Sequence, residues 1–372
     1  MYCASKYAIL GFSQSLASMY DKTGARMVIM CPGVTATPLV TSISDKICNS
    51  VRAVLGSDAV NLDKYRKQTV DDVSLASLDL IQKDKNGAIW ISERDQPSIT
   101  SHRRFQEIRI MYNVKNKTVM ITGAASGLGY KYAEILLRNG VRSVAVIDLP
   151  TSNGQNAVST LENEFGKGRA IFVACDVTKI DDLEKTFKKI VDTFEGLDIL
   201  INNAGMLNDK CLEETIDLNV KALIRGSMLA FDYMGKHKGG KGGVIVNIAS
   251  IFGLHPAQAF PIYTASKFAV LGFSQSLASM YDKTGVRVII MCPGVTITTL
   301  ITDIDNKVCD SIKAVSNKVG LKKYPSQTID NVALAMLKLI QKGKNQEAWV
   351  SEGGEPPYAV DFPYYSKQSL PV

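Results

Sequence analysis

The sequence predicts an α/β fold with a doubly wound parallel sheet, preceded by a truncated repeat of the C-terminal half of that fold. From Val114 onward, short runs rich in Val and Ile alternate with helix-length amphipathic stretches, a pattern typical of parallel strands that helices cover on both faces. Residues 2–35 return as residues 263–296 with about 28 of 34 positions identical, far above chance. The 372 residues therefore divide into a partial copy and a complete one.

Each predicted strand is a short apolar run, and each predicted helix is a longer stretch of mixed apolar and charged residues. The predicted strands are 117–123, 143–149, 170–177, 197–205, 243–250, 287–293 and 347–351. The predicted helices include 126–140, 181–194, about 261–281 and about 328–342. Alternation of this kind predicts parallel strands that are joined by helical crossovers.

The first copy contains counterparts of only the last helices and strands. We expect residues 1–100 to be a partial repeat without a cofactor site, residues 101–113 to be a linker, and residues 114–372 to be the complete catalytic domain. The two strands of the first copy lack the inner strands of the full sheet and hence their pairing partners, and an isolated strand pair is marginally stable. A disordered appendage or a fused gene model is the alternative to a selected function for this segment.

The composition argues against several classes of function. The 43 basic residues are scattered among 36 acidic ones without a basic stripe, so the net charge of +7 does not predict nucleic-acid binding. Seven cysteines with no close C-x-x-C pair, in a chain without an export signal, favour reduced thiols and a cytoplasmic location. Three separated histidines predict no metal site, and no apolar run reaches the roughly 18 residues of a membrane span.

A glycine-rich turn joins the first strand of the second copy to its first helix. The turn has the sequence TGAASGLG over 122–129, and its residues of interest are Gly123, Ser126, Gly127, Leu128 and Gly129. Glycines allow the backbone to turn tightly and approach a pyrophosphate, which the helix N-terminus then binds. A tight strand–helix turn alone would need the same residues, so the strand before it and the helix after it strengthen the prediction of a dinucleotide site.

Acidic residues end the next two strands. Asp148 lies about twenty residues after the glycines, where a carboxylate accepts hydrogen bonds from the adenosine ribose and repels a 2′-phosphate. No Arg or Lys follows it, so NAD is favoured over NADP. Asp176 and Val177 end the third strand, where a carboxylate could meet the adenine amino group. A helix cap made with Thr178 explains Asp176 equally well.

Tyr263 and Lys267 lie four residues apart on a predicted helix, which places them on one face with about 6 Å of rise between them. A nearby ammonium favours a phenolate, so we expect Lys267 to lower the pKa of Tyr263 towards a value useful for proton transfer. Ser250 ends the strand before them, at the sheet edge where open α/β sheets bind ligands. A Tyr/Lys pair at this spacing is, taken alone, more often a surface pair.

These combined features resemble the short-chain dehydrogenase/reductase family, whose fold is the Rossmann fold. The resemblance covers about 112–355 and rests on TGAASGLG (122–129), Asp148, Asp176-Val177, NNAG (202–205), Asn219, Ser250, YTASK (263–267) and PGVTIT (293–298). In that family, the residue matching Tyr263 is the general acid and base. The residue matching Lys267 also binds the nicotinamide ribose, the one matching Ser250 holds the substrate oxygen, and the one matching Asn219 anchors a proton-relay water.

The resemblance also implies further cofactor contacts. The segment that includes Asn203, Ala204 and Gly205 supports the cofactor and the central sheet in the family. The stretch that includes Pro293, Gly294, Val295 and Thr298 lies along the nicotinamide, and the residue matching Thr298 is expected to contact the carboxamide.

Within the family, the sequence is most similar to NAD-dependent 15-hydroxyprostaglandin dehydrogenases and insect alcohol dehydrogenases. It departs from the former at Phe260, where those enzymes have a substrate-contacting Gln three residues before the Tyr. Phe cannot form that hydrogen bond, so recognition of a polar prostaglandin is in doubt. The apolar segment 253–262 suggests an apolar alcohol and equally fits a loop packed on the core.

The expected function is that of an oxidoreductase that transfers a hydride between a secondary alcohol and NAD. The alcohol could be a hydroxy lipid, a prostaglandin-like molecule or a smaller alcohol. A carbonyl reductase is one alternative, although Asp148 argues against NADPH. A non-catalytic nucleotide-binding interaction protein, whose site the first copy blocks, is the other. The expected partners are a small alcohol or ketone substrate and, by the resemblance, a second copy of the chain in a homodimer.

The first copy repeats Tyr263 and Lys267 as Tyr2 and Lys6, yet it lacks the glycine turn, the ribose acid and the serine strand. We therefore expect it to be catalytically silent. Enzymes of the family commonly form dimers through the helix that carries the Tyr and Lys. We expect helix 3–20 to pack on the second copy as a partial, intrachain copy of such a dimer partner.

Overall fold

An eight-stranded sheet lies at the centre of the larger of two structural units. The computed structural model describes residues 1–32, 35, 68–83, 89–92, 111–315 and 321–362. The larger unit comprises Met1–Ser15 and Ile110–Val360, and the smaller comprises Leu16–Arg109 and Asp361–Val372. Within the described residues, no helix is both long and apolar enough to cross a membrane.

The strands of the described residues, numbered in order, are β1 Ile29–Pro32, β2 Ile89–Ser92, β3 Thr118–Thr122, β4 Ser143–Asp148, β5 Ala170–Ala174, β6 Ile199–Asn202, β7 Gly243–Ile248, β8 Val286–Pro293, β9 Val295–Thr296, β10 Ser326–Gln327, β11 Ala348–Ser351 and β12 Tyr358–Val360. The large sheet has the order β12-β11-β8-β7-β6-β3-β4-β5. All of its neighbouring strands are parallel except β12, which is antiparallel to β11. Short β9 and β10 pair separately.

The α-helices within the part of the chain that the structure describes are, in order, α1 Tyr2–Ala17, α2 Tyr20–Thr23, α3 Val70–Lys83, α4 Gly127–Arg138, α5 Gly154–Phe165, α6 Ile180–Phe194, α7 Leu212–Ile216, α8 Leu223–Met234, α9 Pro261–Ala278, α10 Tyr281–Thr284, α11 Asp310–Lys313 and α12 Ile329–Lys342. A π-helix, Asp217–Ala222, joins α7 to α8. Single 3₁₀ turns lie at Lys236–Lys238, Ile251–Gly253, Thr299–Ile301, Ile304–Lys307 and Leu321–Lys323.

The Val- and Ile-rich strands are buried on both faces. In β3, Val119 and Ile121 pack in a cluster with side chains of α4 and α12, while Met120 between them is equally inaccessible on the other face. On that other side, α8 packs against α6 and α9. Burial of alternate residues on both faces is the property that gives such strands their continuous apolar sequences. The predicted α/β fold with a doubly wound parallel sheet is confirmed.

The order of the strands reverses between β3 and β6. From β3 the chain runs outward through β4 and β5, then crosses to β6 and continues to β8 and β11. The carboxyl ends of β3 and β6 therefore diverge around a crevice, and ligands of open α/β sheets bind at such a point. The residues Thr122 and Asn202, with which these strands end, lie beside it.

The smaller unit contains a two-stranded parallel sheet, β1 and β2, with α3. As expected, no inner strand joins this sheet among the described residues, and β1 and β2 form an isolated pair, as their counterparts β8 and β11 pair within the large sheet. Local details are repeated too. Gln68 donates to Thr35 at 3.2 Å, as Gln327 donates to Thr296 at 3.4 Å.

The proposed division into 1–100, 101–113 and 114–372 stays a prediction. Residues 36–67 and 93–110, which include most of the linker, lie outside the described residues.

Candidate active site

A cavity of about 870 Å³ opens at the carboxyl ends of the central strands. Seventeen of the nineteen residues predicted for the site line it. They are Gly123, Ser126, Gly127, Leu128, Asp148, Asp176, Val177, Asn203, Ala204, Gly205, Ser250, Tyr263, Lys267, Pro293, Gly294, Val295 and Thr298. The two others, Gly129 and Asn219, lie behind the wall and support it.

The glycines of the turn have different tasks. Gly123 and Gly127 have φ angles of 63° and 57°, which side chains other than glycine adopt only with strain. Apart from its chain neighbours and its own helix backbone, no atom lies within 4 Å of the place where Gly127 would carry a Cβ, and Gly127 lines the cavity. A Cβ on Gly129 would overlap the Gly123 carbonyl oxygen and lie 2.8 Å from Ala124 Cα. Gly129 therefore permits close packing of the helix on the turn.

The N-terminus of α4 faces this cavity without a side-chain cap. Ser126 is the N-cap residue, and its hydroxyl makes no capping hydrogen bond to the helix. Gly127 and Leu128, the first residues of α4, also line the cavity. Uncapped N–H groups and the positive end of the helix dipole make such an N-terminus a binding place for an anion.

Asp148 is held at the end of β4 by two backbone groups. Its Oδ2 accepts a hydrogen bond from Ala125 N at 2.9 Å, and its Oδ1 accepts one from Leu149 N at 2.8 Å. The carboxylate is thus fixed beside the glycine turn. Asp176 lines the cavity and accepts hydrogen bonds from the Thr178 backbone at 3.0 Å and hydroxyl at 2.7 Å. These bonds form a turn before α6 and do not cap it, because the N-cap residue of α6 is Lys179 and no side chain caps that helix.

Asn203 braces the turn from β6. Its Nδ2 donates to the carbonyls of Thr122 at 2.9 Å and Gly123 at 3.0 Å, and the N–H groups of Asn203 and Ala204 both donate to Thr122 Oγ1 at 3.0 Å. These bonds tie the carboxyl ends of β3 and β6 together. A Cβ on Gly205 would lie 3.1 Å from Asn219 Oδ1 and 3.6 Å from Lys267 Nζ. The absence of a side chain at Gly205 therefore leaves room for these two groups beside the loop that lines the cavity.

Asn219 lies in the π-helix and is almost completely buried. Its Oδ1 accepts from Met206 N at 2.8 Å, and its Nδ2 donates to Met206 O at 2.8 Å and Ser266 Oγ at 3.0 Å. The amide thereby joins the loop after β6 to α9. Single π-turns in helices are frequent at functional sites.

Ser250, Tyr263 and Lys267 converge on one side of the cavity. Each is at most 7% exposed, and Lys267 Nζ lies 5.5 Å from the centre of the Tyr263 ring and donates to Ile248 O at 3.0 Å. Burial lowers the pKa of Lys267 to about 8. Burial also raises the pKa of Tyr263 to about 12, against a hydrogen bond with Ser250 that lowers it. The expectation that this pKa is depressed is therefore wrong for the site in this structure, because desolvation of the phenol dominates.

A sequence model described as short chain dehydrogenase matches residues 1–47 and 117–308, which is more than half of the chain. The chain belongs to the short-chain dehydrogenase family. The resemblance inferred from the motifs is thus confirmed. Rat 15-hydroxyprostaglandin dehydrogenase [NAD(+)] is 38% identical over 56% of this chain and 82% of its own length. Alcohol dehydrogenase 1 of Ceratitis cosyra is 33% identical over 65% of this chain and 94% of its own length.

A solved structure has the same fold. A short-chain dehydrogenase from Burkholderia cenocepacia J2315, in complex with NADP, superposes with a TM-score of 0.54 and 25% sequence identity. The superposition covers 65% of this chain and 99% of that one. Like other members of its family, this chain is an oxidoreductase with an α/β sheet of the Rossmann type.

Phe260 is not part of the cavity wall of this dehydrogenase. Its side chain is fully buried in the core at the start of α9, and no residue of 253–262 lines the cavity. Of the two interpretations of this apolar segment, the loop packed on the core is the one observed. The apolar wall comes from Ile251 and Phe252, just before it, and from Leu300 and Leu321.

Asp209 is a residue that the sequence analysis missed. It is 2% exposed, and its two carboxylate oxygens accept from Ile262 N at 2.7 Å and Tyr263 N at 3.0 Å, at the first turn of α9. Burial raises the pKa of this carboxyl to about 7, although the two hydrogen bonds oppose the change. No motif marks the residue, because an Asp in a polar loop of a sequence has many ordinary explanations.

The raised pKa of Asp209 predicts a specific pH dependence of stability. The folded state keeps this proton up to about pH 7, whereas the unfolded state loses it near the ordinary pKa of 3.8. The protonation of Asp209 therefore adds its full contribution to the free energy of unfolding below about pH 4, and this contribution is lost as the pH rises to about 7. Its upper bound is about 4 kcal/mol. Urea unfolding at several pH values should show this loss in the wild type and not in Asp209→Asn. Equal pH dependence in both proteins would contradict it.

Proposed function

We propose that this dehydrogenase transfers a hydride between a secondary alcohol and NAD, with Tyr263 as the general acid and base. The observation that carries the proposal is that Ser250, Tyr263 and Lys267 line the same cavity as the open glycine turn at Gly127. A proton-transfer group and an anion-binding helix N-terminus thus face one space, as alcohol oxidation by a dinucleotide requires.

The cavity fits a dinucleotide. The missing Cβ of Gly127 leaves the uncapped start of α4 free to receive a pyrophosphate, and Asp148 lies where a ribose would follow. Gly123, Asn203 and Gly205 would support the turn and the nicotinamide end, with Pro293 to Thr298 along the opposite wall. When bound, the nicotinamide supplies the acceptor for the two electrons and hydrogen of the alcohol carbon.

The side chains at the reacting end would handle the proton. Tyr263 would remove the hydroxyl proton of the alcohol, and Ser250 would hydrogen-bond the same oxygen as it becomes a carbonyl. Lys267, whose pKa lies near 8, would favour the phenolate by its charge while it binds the ribose. Asn219 would position a water between Lys267 and solvent, next to the Met206 carbonyl that it already binds.

NAD rather than NADP is supported by Asp148. Its fixed carboxylate would repel a 2′-phosphate, and the relatives from rat and human carry NAD(+) in their names. The solved structure from Burkholderia cenocepacia contains NADP, so the fold alone does not choose between the two cofactors.

The substrate class supported best is an apolar secondary alcohol or the matching ketone. Phe252, Leu300 and Leu321 give the wall beyond Tyr263 an apolar character, while Glu214 and Lys307 add charge. Hydroxy lipids, prostaglandin-like molecules and smaller alcohols all share this chemistry. No described residue of 1–35 lines the cavity, which favours turnover over a non-catalytic protein with a blocked site. The cytoplasmic location stays a prediction of the sequence.

The proposal is tested by following NADH absorbance with a panel of short secondary alcohols, hydroxy fatty acids, prostaglandins and sterols. We expect NADH to form with at least one class, and to form from NAD faster than NADPH forms from NADP. NAD binding without turnover of any alcohol or reduction of any matching ketone would contradict the proposal in favour of a binding protein.

The choice of cofactor has its own prediction. Asp148→Ser removes the charge that would face a 2′-phosphate, and repulsion of like charges in such a site is worth a few kcal/mol. We expect the ratio of kcat/KM for NAD to that for NADP to fall by roughly 10- to 100-fold. Asp181→Ser, which removes a charge from the first turn of α6, is the matched control. An unchanged ratio in Asp148→Ser would show that another group selects the cofactor.

A further inference from the structure

A closed ring of hydrogen bonds lies behind the cavity wall that runs from Pro293 to Thr298. Gln327 Nε2 donates to the Ser351 carbonyl and, at 3.4 Å, to Thr296 Oγ1. Thr296 Oγ1 donates in turn to Gly294 O at 2.9 Å, and Gly294 N donates to the same Ser351 carbonyl at 2.7 Å. Gln327, Thr296 and Ser351 are each at most 5% exposed. The ring therefore joins the wall to β11 within the protein interior.

The orientation of the Gln327 amide is fixed by its partners. A backbone carbonyl can only accept a hydrogen bond, so the Ser351 carbonyl requires Nε2 beside it, and Ser351 Oγ donates to Oε1 at 3.1 Å. The second hydrogen of Nε2 goes to Thr296 Oγ1, whose own hydrogen is used on Gly294 O. Both hydrogens and the oxygen of the Gln327 amide are thus paired, and a buried polar network that is fully paired makes its surroundings rigid.

The wall needs such an attachment because its own strand is short. Strand β9 has two residues and pairs with β10, which also has two, in a sheet separate from the large one. An isolated two-stranded pair is marginally stable. Ile297 N donates to Gln327 O at 3.0 Å, so the backbone of Gln327 belongs to the small sheet, while its side chain reaches Ser351 in the large sheet. Gln327 therefore ties the small sheet to the large one.

Gln327 acts on the cavity from behind. Gly294, Thr296 and Thr298 line the cavity, whereas Gln327 and Ser351 do not. The glycine turn and the ribose acid follow β3 and β4, and three strands, β8, β7 and β6, separate β11 from β3 in the sheet. The ring can therefore affect the nicotinamide end of the cavity without affecting the end that would hold the pyrophosphate and adenosine.

We propose that Gln327 is a positioning residue for the nicotinamide, which it serves by holding the wall from Gly294 to Thr298 in place through Thr296. The inference rests on the proposed function, since it requires a dinucleotide in this cavity. Loss of the ring should weaken the binding of NAD and spare the binding of a fragment that lacks the nicotinamide.

Gln327→Met keeps the length of the side chain and removes its hydrogen bonds. Titration calorimetry of the full chain compares NAD with ADP-ribose, which lacks the nicotinamide. We expect the dissociation constant of NAD to rise by roughly 5- to 20-fold, and that of ADP-ribose to stay within about twofold of the wild-type value. Gln68→Met is the matched control, because Gln68 donates to Thr35 in the same way and no described residue of the first copy lines the cavity. It should change neither constant.

Thr296→Val breaks the same link from its other end, and it tests the proposal even if Gln327→Met does not fold. It should weaken NAD binding and spare ADP-ribose, and the double variant should lose no more affinity than the weaker-binding single variant, because all three proteins lack one shared link. Equal losses for NAD and ADP-ribose, no loss for either, the same loss in Gln68→Met, or additive losses in the double variant would each overturn the proposal. A wild type that binds neither ligand would overturn the proposed function, and this inference with it.

Discussion

Tyr263→Phe should reduce kcat by roughly 10²- to 10⁴-fold, the range that one positioned proton-transfer group contributes. The substitution removes a single hydroxyl from a side chain that is 5% exposed and that packs edge-on against Phe252, so the ring and its packing are kept. We expect the dissociation constant of NAD, measured by titration calorimetry, to change little, because the glycine turn and Asp148 are untouched.

The repeat supplies the matched control. Tyr2 is the counterpart of Tyr263 and is 60% exposed, with Lys6 above its ring at 5.4 Å in the same relation as Lys267 to Tyr263. Tyr2→Phe should leave kcat and KM unchanged, since no described residue of the first copy lines the cavity. Equal losses in the two variants, or a loss only in Tyr2→Phe, would show that Tyr263 is not the proton-transfer group.

Gly129→Ala should destabilise the fold by roughly 1–3 kcal/mol, the usual cost of overpacking. The added methyl would meet the backbone at Gly123 and Ala124 and also Asn203 Nδ2 at 2.6 Å, and backbone groups cannot rotate away as a flexible side chain can. The strand–helix turn would have to open, so we expect both the free energy of unfolding in urea and the affinity for NAD to fall.

Gly127→Ala separates the two tasks of the turn. The new methyl would meet no protein atom within 4 Å, and the cost to stability should be limited to the strain of a φ of 57°, roughly 1 kcal/mol. Gly127 lines the cavity, however, so we expect the affinity for NAD to fall at least as much as in Gly129→Ala. A larger loss of stability in Gly127→Ala than in Gly129→Ala would contradict this assignment.

Most of the fold follows from local sequence. The Val and Ile runs of β3, β4, β6 and β7 predict their own burial, and the helices between them require parallel pairing. The positions of Ser250, Tyr263 and Lys267 also follow, because a strand end and one helix turn fix them. The isolated pair of β1 and β2 also agrees with the repeat, because the first copy contains the counterparts of β8 and β11 and none of the inner strands.

Other properties of the site depend on packing that no single segment contains. The pKa of Tyr263 is raised chiefly because the phenol, whose ring packs edge-on against Phe252, is buried. The role of Asp209 depends on two N–H groups more than fifty residues away in sequence. Phe260 matches the place of a substrate-contacting Gln in the prostaglandin dehydrogenases, and the sequence alone left open whether 253–262 faces the substrate or the core. In this structure Phe260 is the N-cap residue of α9, and its side chain is buried in the core.

The contact between α1 and α9 constrains some residues of α1 by packing and leaves others unconstrained. Tyr2 and Lys6 do not line the cavity that Tyr263 and Lys267 line, so substitutions there should not affect activity. The Tyr7 ring, in contrast, lies against Gly272, and Gly11 lies against the Phe268 ring. If the duplication is old, the catalytic signature in the first copy should erode before the ring and the glycine do. Descendants of this chain would then keep Tyr7 and Gly11, which pack on α9, after Tyr2 and Lys6 had been replaced.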